Sequence, residues 1–281
     1  MIGQTELLNR LYERSNEQFS RFMIFVGDKG SGKKTLIEEI GNRYYYKLSR
    51  MTTYRTPDTK IESIRNLITE AYKTRVPAWF VIADADNMSV NAKNALLKIT
   101  EEPPNDAYFI MTLEDINNTL DTIKSRATVY TMDKYSRKEL ETFFRERYKA
   151  TPDYEKLVID LSETPGDIML LQSTGGECKA DEFYAYVEKV FDNIGVTSGA
   201  NAFKISEKIA LKDTDEDKYD LRMFWKAFQK VALSKASELE GTKAIQMIQI
   251  TSRALQDLKI KSLNKAMLFD IWVLDIRRVW L

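Results

Sequence analysis

The apolar run Phe22-Met23-Ile24-Phe25-Val26 ends at a glycine and passes straight into Gly27-Asp28-Lys29-Gly30-Ser31-Gly32-Lys33-Lys34-Thr35. Few local patterns restrict a fold as tightly. The run has the length of a buried strand, and Leu36, Ile37 and Ile40 then start an amphipathic helix. Glycines between the two let consecutive backbone N–H groups converge, and the helix N-terminus adds its positive dipole end. Such a turn cradles phosphate oxygens. Its spacing fits the pattern G-x-x-x-x-G-K-[ST] at every position but the last. Lys33 falls where an ammonium reaches the outer phosphates. Where a hydroxyl would hold Mg²⁺ stands Lys34, and the hydroxyl comes one residue late at Thr35. The loop is built for phosphate and poorly equipped to place the metal that hydrolysis uses.

Around this loop the chain alternates. Leu48 to Thr53 reads as a short strand, Lys60 to Tyr72 as a helix, and Trp79-Phe80-Val81-Ile82 as a strand apolar on both faces. Ser89 to Glu101 reads as a helix stopped by Pro103-Pro104, Tyr108 to Thr112 as a strand, Ile116 to Ile123 as a short helix, and Thr128 to Thr131 as a last strand. Alternation of this kind predicts a parallel sheet with helices on both faces. From Ser136, which opens a capping box with Glu139, the period is helical throughout. That includes Asp181–Ile194, Ala200–Leu211, Asp220–Glu240, Thr242–Leu258 and Ser262–Leu281. The fold class is therefore an α/β phosphate-loop module followed by all-α domains.

Composition narrows the chemistry. The chain has no histidine and a single cysteine, Cys178, so there is no His base, no internal disulfide and no Cys/His metal cluster. Cys178 reads as inert. Only an oxygen-held ion such as Mg²⁺ is left. Lys+Arg and Asp+Glu each number 42, a balance that predicts no strong bulk attraction to nucleic acid. No signal-peptide core and no membrane-length apolar run occurs, and the expected setting is the cytoplasm.

A second acidic element should follow a buried strand in nucleotide hydrolases that use such a loop. Here Trp79–Ile82 leads to Ala83-Asp84-Ala85-Asp86, and then to Asn94-Ala95-Leu96-Leu97-Lys98-Ile99-Thr100-Glu101-Glu102-Pro103-Pro104. This stretch resembles the second acidic motif and following helix of the AAA+ clamp loaders. Thr122-Ile123-Lys124-Ser125-Arg126-Ala127 is similar to their T-I-x-S-R-C segment, and Ile2-Gly3-Gln4 to the opening that lies near the adenine in that family. Within it the likeness is closest to the DNA polymerase III delta-prime subunit. Lys34 replaces the metal hydroxyl, Ala83 and Asp84 replace the acidic pair, no Asn follows Met111-Thr112-Leu113, and Thr164-Pro165-Gly166-Asp167 falls where a sensor arginine is expected. The stretch after the phosphate loop is short and lacks a cysteine-ligated zinc module, which suggests a compact or phage-type version.

The resemblance implies an AAA+ module over residues 1–133, a helical lid over 134–176 and a helical collar for oligomerisation over 177–281. It implies a stator subunit of a clamp loader in DNA replication that donates Arg126 in trans to a neighbouring ATPase. Its own seat for ATP or ADP would be formed by Ile2, Gly3, Gly27, Asp28, Lys29, Gly30, Ser31, Gly32, Lys33, Lys34, Thr35 and Asp84. Binding there would be weak or absent, Mg²⁺ would enter only with nucleotide, and the chain would have no resident metal. Asp84 and Asp86 are open to two readings, as Mg²⁺ ligands or as caps of the helix that starts near Ser89. Lys93, Lys98 and Lys124 are either DNA-phosphate contacts or a solvated face. The expected partners are other loader subunits through the collar, the sliding clamp, and weakly held primer-template DNA, with no membrane. Two rivals remain: an active motor subunit using Asp84 and Thr35, and a separate AAA+ DNA-processing ATPase. Apolar stripes at Phe183, Val187, Val190 and Phe191, and at Leu221, Phe224, Trp225 and Phe228, would be exposed in a monomer and so mark the assembly surface.

Overall fold

The computed structural model describes residues 3–14, 20–45, 52–55, 58–104, 107–172, 179–196, 202–211, 218–258, 260 and 263–280. Packing gathers them into two compact units. The first holds the chain up to Tyr148 together with Glu163–Gly166, and the second holds Lys149–Ser162 and Asp167–Leu281.

In the first unit, β1 (Phe22–Val26), β2 (Thr52–Arg55), β3 (Ala78–Ile82), β4 (Ala107–Leu113) and β5 (Thr128–Thr131) form one sheet in the order β2-β3-β4-β1-β5. Every pairing is parallel. Such a sheet buries both faces, which is why its strands read as unbroken apolar runs. Phe22, Ile24, Phe80, Ile82, Phe109 and Met111 turn to one side, against α3 (Ile61–Lys73) and α4 (Val90–Glu101). Met23, Phe25, Trp79, Val81 and Ile110 turn to the other, against α1 (Thr5–Arg14) and α2 (Lys33–Tyr45). Ser89 caps α4 by accepting from the Ala92 amide. Ile116 to Ile123, expected as one helix, is a 3₁₀ turn at Ile116–Asn118 followed by α5 (Asp121–Lys124). α6 (Arg137–Arg147) opens with the expected capping box of Ser136 and Glu139.

The register fixes the position of the loop. Val26 pairs with Leu113 on one side and Thr131 on the other, while Ile82 pairs with Met111. β1 and β4 therefore end level at their C-terminal ends, and β3 ends two residues short of them. From β1 the chain crosses to β2 at the far edge, while β5 lies on β1's opposite flank. The end of β1 is thus the point where connections diverge, which is where open α/β sheets bind ligands.

The second unit contains α7 (Pro152–Leu161), most of α8 (Pro165–Gln172), α9 (Lys179–Asn193), α10 (Leu221–Ser234), α11 (Lys243–Asp257) and α12 (Lys265–Trp280). It is not wholly helical. The stretch expected as a helix from Ala200 to Leu211 is a 3₁₀ turn at Phe203–Lys208 running into β6 (Ile209–Ala210), which pairs in parallel with β7 (Tyr219–Asp220). The core is aromatic. Trp272 meets Phe228 edge-on with ring centroids 4.9 Å apart, and Phe224 edge-on at 5.6 Å. Its indole N–H donates to Thr251 Oγ1 at 3.0 Å.

This core corrects one expectation. Phe183, Val187, Val190 and Phe191 of α9 and Leu221, Phe224, Trp225 and Phe228 of α10 are all buried within the chain itself. They form the heart of the helical unit, because α9, α11 and α12 close over them. The apolar side chains left outside lie elsewhere.

Asp167, only 3% exposed, accepts from Arg222 Nη2 of α10 at 2.5 Å. Removing Arg222 takes the ion-pair partner from a carboxylate that is itself buried. Arg222→Ala should therefore lower unfolding stability by about 3–5 kcal/mol. Urea denaturation followed by circular dichroism is the check, and a loss under about 1 kcal/mol would show that the pair is solvated.

Candidate functional site

Gly27 continues the ladder of β1, its amide donating to the Leu113 carbonyl at 3.0 Å. A Cβ there would lie 2.9 Å from Ser31 Oγ and 3.0 Å from Met132 Cβ, so the start of the loop is too tight for a side chain. Gly30 and Gly32 have φ of 79° and 90°, in the region glycine alone enters freely. The chain then enters α2 at Lys33, whose side chain is almost fully buried. Lys33 Nζ donates to the carbonyls of Gly27 at 2.6 Å and Asp28 at 3.0 Å. An ammonium has three donors, so two hold the loop in shape and one is left for a ligand. Burial holds the Lys33 ammonium below the usual lysine range, with Glu114, Asp84, Asp86 and Asp28 pulling it back up.

Across the loop lies Asp84. Its backbone is left-handed, φ 52° and ψ 43°, and its amide donates to the Thr112 hydroxyl at 2.9 Å. Thr112 is fully buried on β4. Lys34 Nζ lies 3.4 Å from Asp84 Oδ2, each side chain 59% exposed. Lys34 thus places its own positive charge against the Asp84 carboxylate. Thr35, one step around the helix, is exposed.

Asp86 has a different task from either one expected of it. It is buried and accepts from the amides of Glu114 at 2.8 Å and Asp115 at 3.2 Å and from Asn118 Nδ2 at 3.0 Å. It ties β3 to the turn after β4. It does not cap α4, since Ser89 does.

One flank of the loop is fixed by the N-terminal segment. Gln4 Nε2 donates to the Asp133 carbonyl at 2.8 Å, and the Asp133 amide returns a bond to Gln4 Oε1 at 2.9 Å. Two residues on, the Tyr135 hydroxyl donates to the Ser31 carbonyl at 2.7 Å, and burial pushes that phenol up to about 12. Gly3, φ 70°, faces Tyr135 and Glu139, while Ile2 lies outside the described residues. The sequence pattern marked Gly3; Tyr135 carried no signal. On another flank the Gly166 amide donates to the Gly30 carbonyl at 3.0 Å. A Cβ on Gly166 would lie 2.4 Å from Gly30 Cα, so this backbone contact requires both glycines. Asp167 follows where a sensor arginine was expected, and it pairs with Arg222 as described.

Arg126 lies two residues before β5, beyond the N-terminal end of that strand. Thr128 pairs with Met23, at the start of β1, whereas the phosphate loop follows Val26 at its end. At ~3.3 Å per residue, the strand puts more than 10 Å between the two. The guanidinium donates to the Thr122 carbonyl and pairs with Glu101 at the end of α4. Glu101 belongs to a stretch the sequence singled out, but its role as the partner of Arg126 was not legible there. Of the lysines, Lys93 donates to the Asn118 carbonyl, and Lys124 pairs with Asp121 at 2.9 Å. Lys98 is exposed. Cys178 and residues 48–51 of the strand expected from Leu48 to Thr53 lie outside the described residues. Among the described residues no helix is long and apolar enough to cross a membrane.

Comparison with known proteins adds relatives to this geometry. A family model described as DNA polymerase III, delta subunit, matches residues 46–136. The chain is 26% identical over 206 residues to a replication factor C small subunit from Staphylothermus marinus, covering 66% of this chain and 62% of that protein. It is 23% identical over 283 residues to replication factor C subunit 3 from Schizosaccharomyces pombe, covering 96% of this chain and 79% of that protein. It is 31% identical over 90 residues to the DNA polymerase III subunit gamma of Buchnera aphidicola, covering 31% of this chain and 25% of that protein. For the small-subunit relatives from Staphylothermus marinus and Saccharolobus solfataricus, the match spans only 62% of their own length. A DNA polymerase III gamma subunit-related protein from Thermotoga maritima superposes over 99% of this chain and 100% of its own, with a TM-score of 0.51 at 16% identity, and so shares the fold.

Proposed function

We propose that this AAA+ protein of the clamp-loader family is a delta-prime-like stator. It would assemble with ATPase subunits of a clamp loader in DNA replication and present Arg126 to a neighbour's ATP, with little or no hydrolysis of its own. Residues 1–133 would form the AAA+ module, 134–176 the lid and 177–281 the collar. The observation that carries this reading is the pair Lys34–Asp84, 3.4 Å apart where a hydroxyl and a carboxylate would jointly place Mg²⁺. These residues do not fit that metal. Without it, the charge developing between β- and γ-phosphates has no bridging cation. Asp86 is a poor substitute, because three donors already take up most of its carboxylate.

The position of Arg126 supports the second half of the reading. It stands at the end of the sheet opposite its own loop, and β5 is an edge strand. A charge placed there is too far from its own loop to act on a nucleotide held in it. Its pair with Glu101 would hold the guanidinium in place for a neighbour's nucleotide.

For assembly, the support is a different apolar face from the one the sequence suggested. Met267, Ile271 and Leu274 of α12 are 64%, 45% and 46% exposed. Their spacing, four and then three residues, puts them on one side of the helix. The test is Met267→Asp, Ile271→Asp and Leu274→Asp together, co-expressed with the other loader chains. Native mass spectrometry should find a hetero-oligomer with the unaltered chain and none with the triple variant, while circular dichroism shows both folded. A complex that survives the triple variant would remove the collar from the assembly role.

A further inference from the structure

We infer that Lys34 serves as a built-in counter-cation, so that the loop takes a nucleoside diphosphate free of Mg²⁺. The inference rests on reading the loop as a nucleotide seat. It goes further, because it assigns the ligand's metal state and a residue responsible for it.

The seat keeps the parts that bind phosphate. Gly30 and Gly32 carry the positive φ values the turn needs, α2 presents its N-terminus, and Lys33 keeps one donor after giving two to loop carbonyls. What has changed is the cation. Asp84 is fixed from behind, through its left-handed backbone and its amide bond to buried Thr112. Its carboxylate faces the loop and meets the Lys34 ammonium. A metal entering there would have to displace that ammonium and then sit beside it, one cation against another. The second carboxylate that could offset this, Asp86, is committed to the turn after β4.

The Lys34–Asp84 pair is exposed, and exposed pairs add little to folding. Its value is positional. The ammonium has donors to spare after meeting one carboxylate oxygen, and phosphate oxygens arriving in the loop would complete its coordination. A lysine supplies one positive charge, enough to bridge Asp84 to a bound diphosphate. It cannot bridge two phosphoryl groups with the fixed geometry of a divalent ion. The seat would therefore hold a product-like nucleotide as a structural plug.

The test is isothermal titration of the full chain with ADP, once in EDTA and once with excess Mg²⁺. The expected result for the unaltered protein is binding in EDTA at least as tight as in Mg²⁺, since a chelated metal brings a second cation up against Lys34. Lys34→Ser restores the hydroxyl and should reverse the order, with binding tighter in Mg²⁺ by about tenfold or more. Lys34→Met, which keeps the length without the charge, should weaken binding in both buffers. The inference is overturned if the unaltered protein needs Mg²⁺ to bind ADP, if Lys34→Ser leaves the metal response unchanged, or if ADP does not bind in either buffer. The last outcome would leave the stator reading intact, since assembly and Arg126 do not depend on an occupied loop.

Discussion

Arg126→Ala is expected to lower ATP turnover of an assembled loader by on the order of 10³-fold at the site it serves, the cost of losing a trans arginine in phosphoryl transfer. Assembly should be unaffected. The guanidinium lies beyond the N-terminal end of β5, its own phosphate loop lies at the far end of β1, and its own loop carries a lysine in the metal position. Whole-complex turnover would fall less if other subunits keep arginines of their own. Arg126→Lys should rescue poorly, because an ammonium cannot present a planar fork. Glu101→Gln is the informative companion. It keeps the shape of the residue that holds the guanidinium but removes the countercharge. If Glu101 positions Arg126, this variant should raise KM for ATP or lower kcat without touching assembly. Steady-state turnover with clamp and primed DNA measures all three. Unchanged turnover in Arg126→Ala, with the complex confirmed by native mass, would leave the chain a scaffold only.

Trp272→Ala should cost the helical unit about 3–5 kcal/mol, the usual loss for truncating a large buried aromatic. The ring is almost fully buried, and its removal empties the space between Phe224, Phe228 and Phe269. Thr251 Oγ1 also loses the indole donor, although it still donates to the Met247 carbonyl. Trp272→Phe separates the two effects. It retains most of the apolar surface, and the missing hydrogen bond should account for about 1 kcal/mol. Urea unfolding monitored at the helical signal gives both values. A cost under about 1 kcal/mol for the alanine variant would mean that the site collapses without a cavity.

Much of the first unit was legible because its signals are local. A strand buried on both faces reads as an apolar run, a phosphate loop as glycines at fixed spacing, and a capped helix as Ser89 or as Ser136 with Glu139. The strand order is not local, and alternation with helices fixes only that the sheet is parallel and covered on both faces. The misreadings occurred where a side chain chose between distant partners. Asp86 looked like a metal ligand or a cap and instead binds a turn some thirty residues on, a contact set by the β3–β4 register. The apolar stripes of α9 and α10 looked like an interface because helical period reveals a buried face but not what covers it. That Lys34 stands where a metal-holding hydroxyl is expected is plain from the sequence, but its partner is not. Its pairing with Asp84 depends on the left-handed turn at the end of β3, which sequence does not announce.

A stator of the kind proposed would position nucleotide chemistry for others and perform none itself. Turnover of the purified chain with saturating Mg-ATP, beside Lys33→Ala, tests it most directly. Equal rates are expected for the two, indistinguishable from the background of the assay. A rate of about 1 s⁻¹ or more that disappears in Lys33→Ala would contradict it, because that is the range of an ordinary working enzyme.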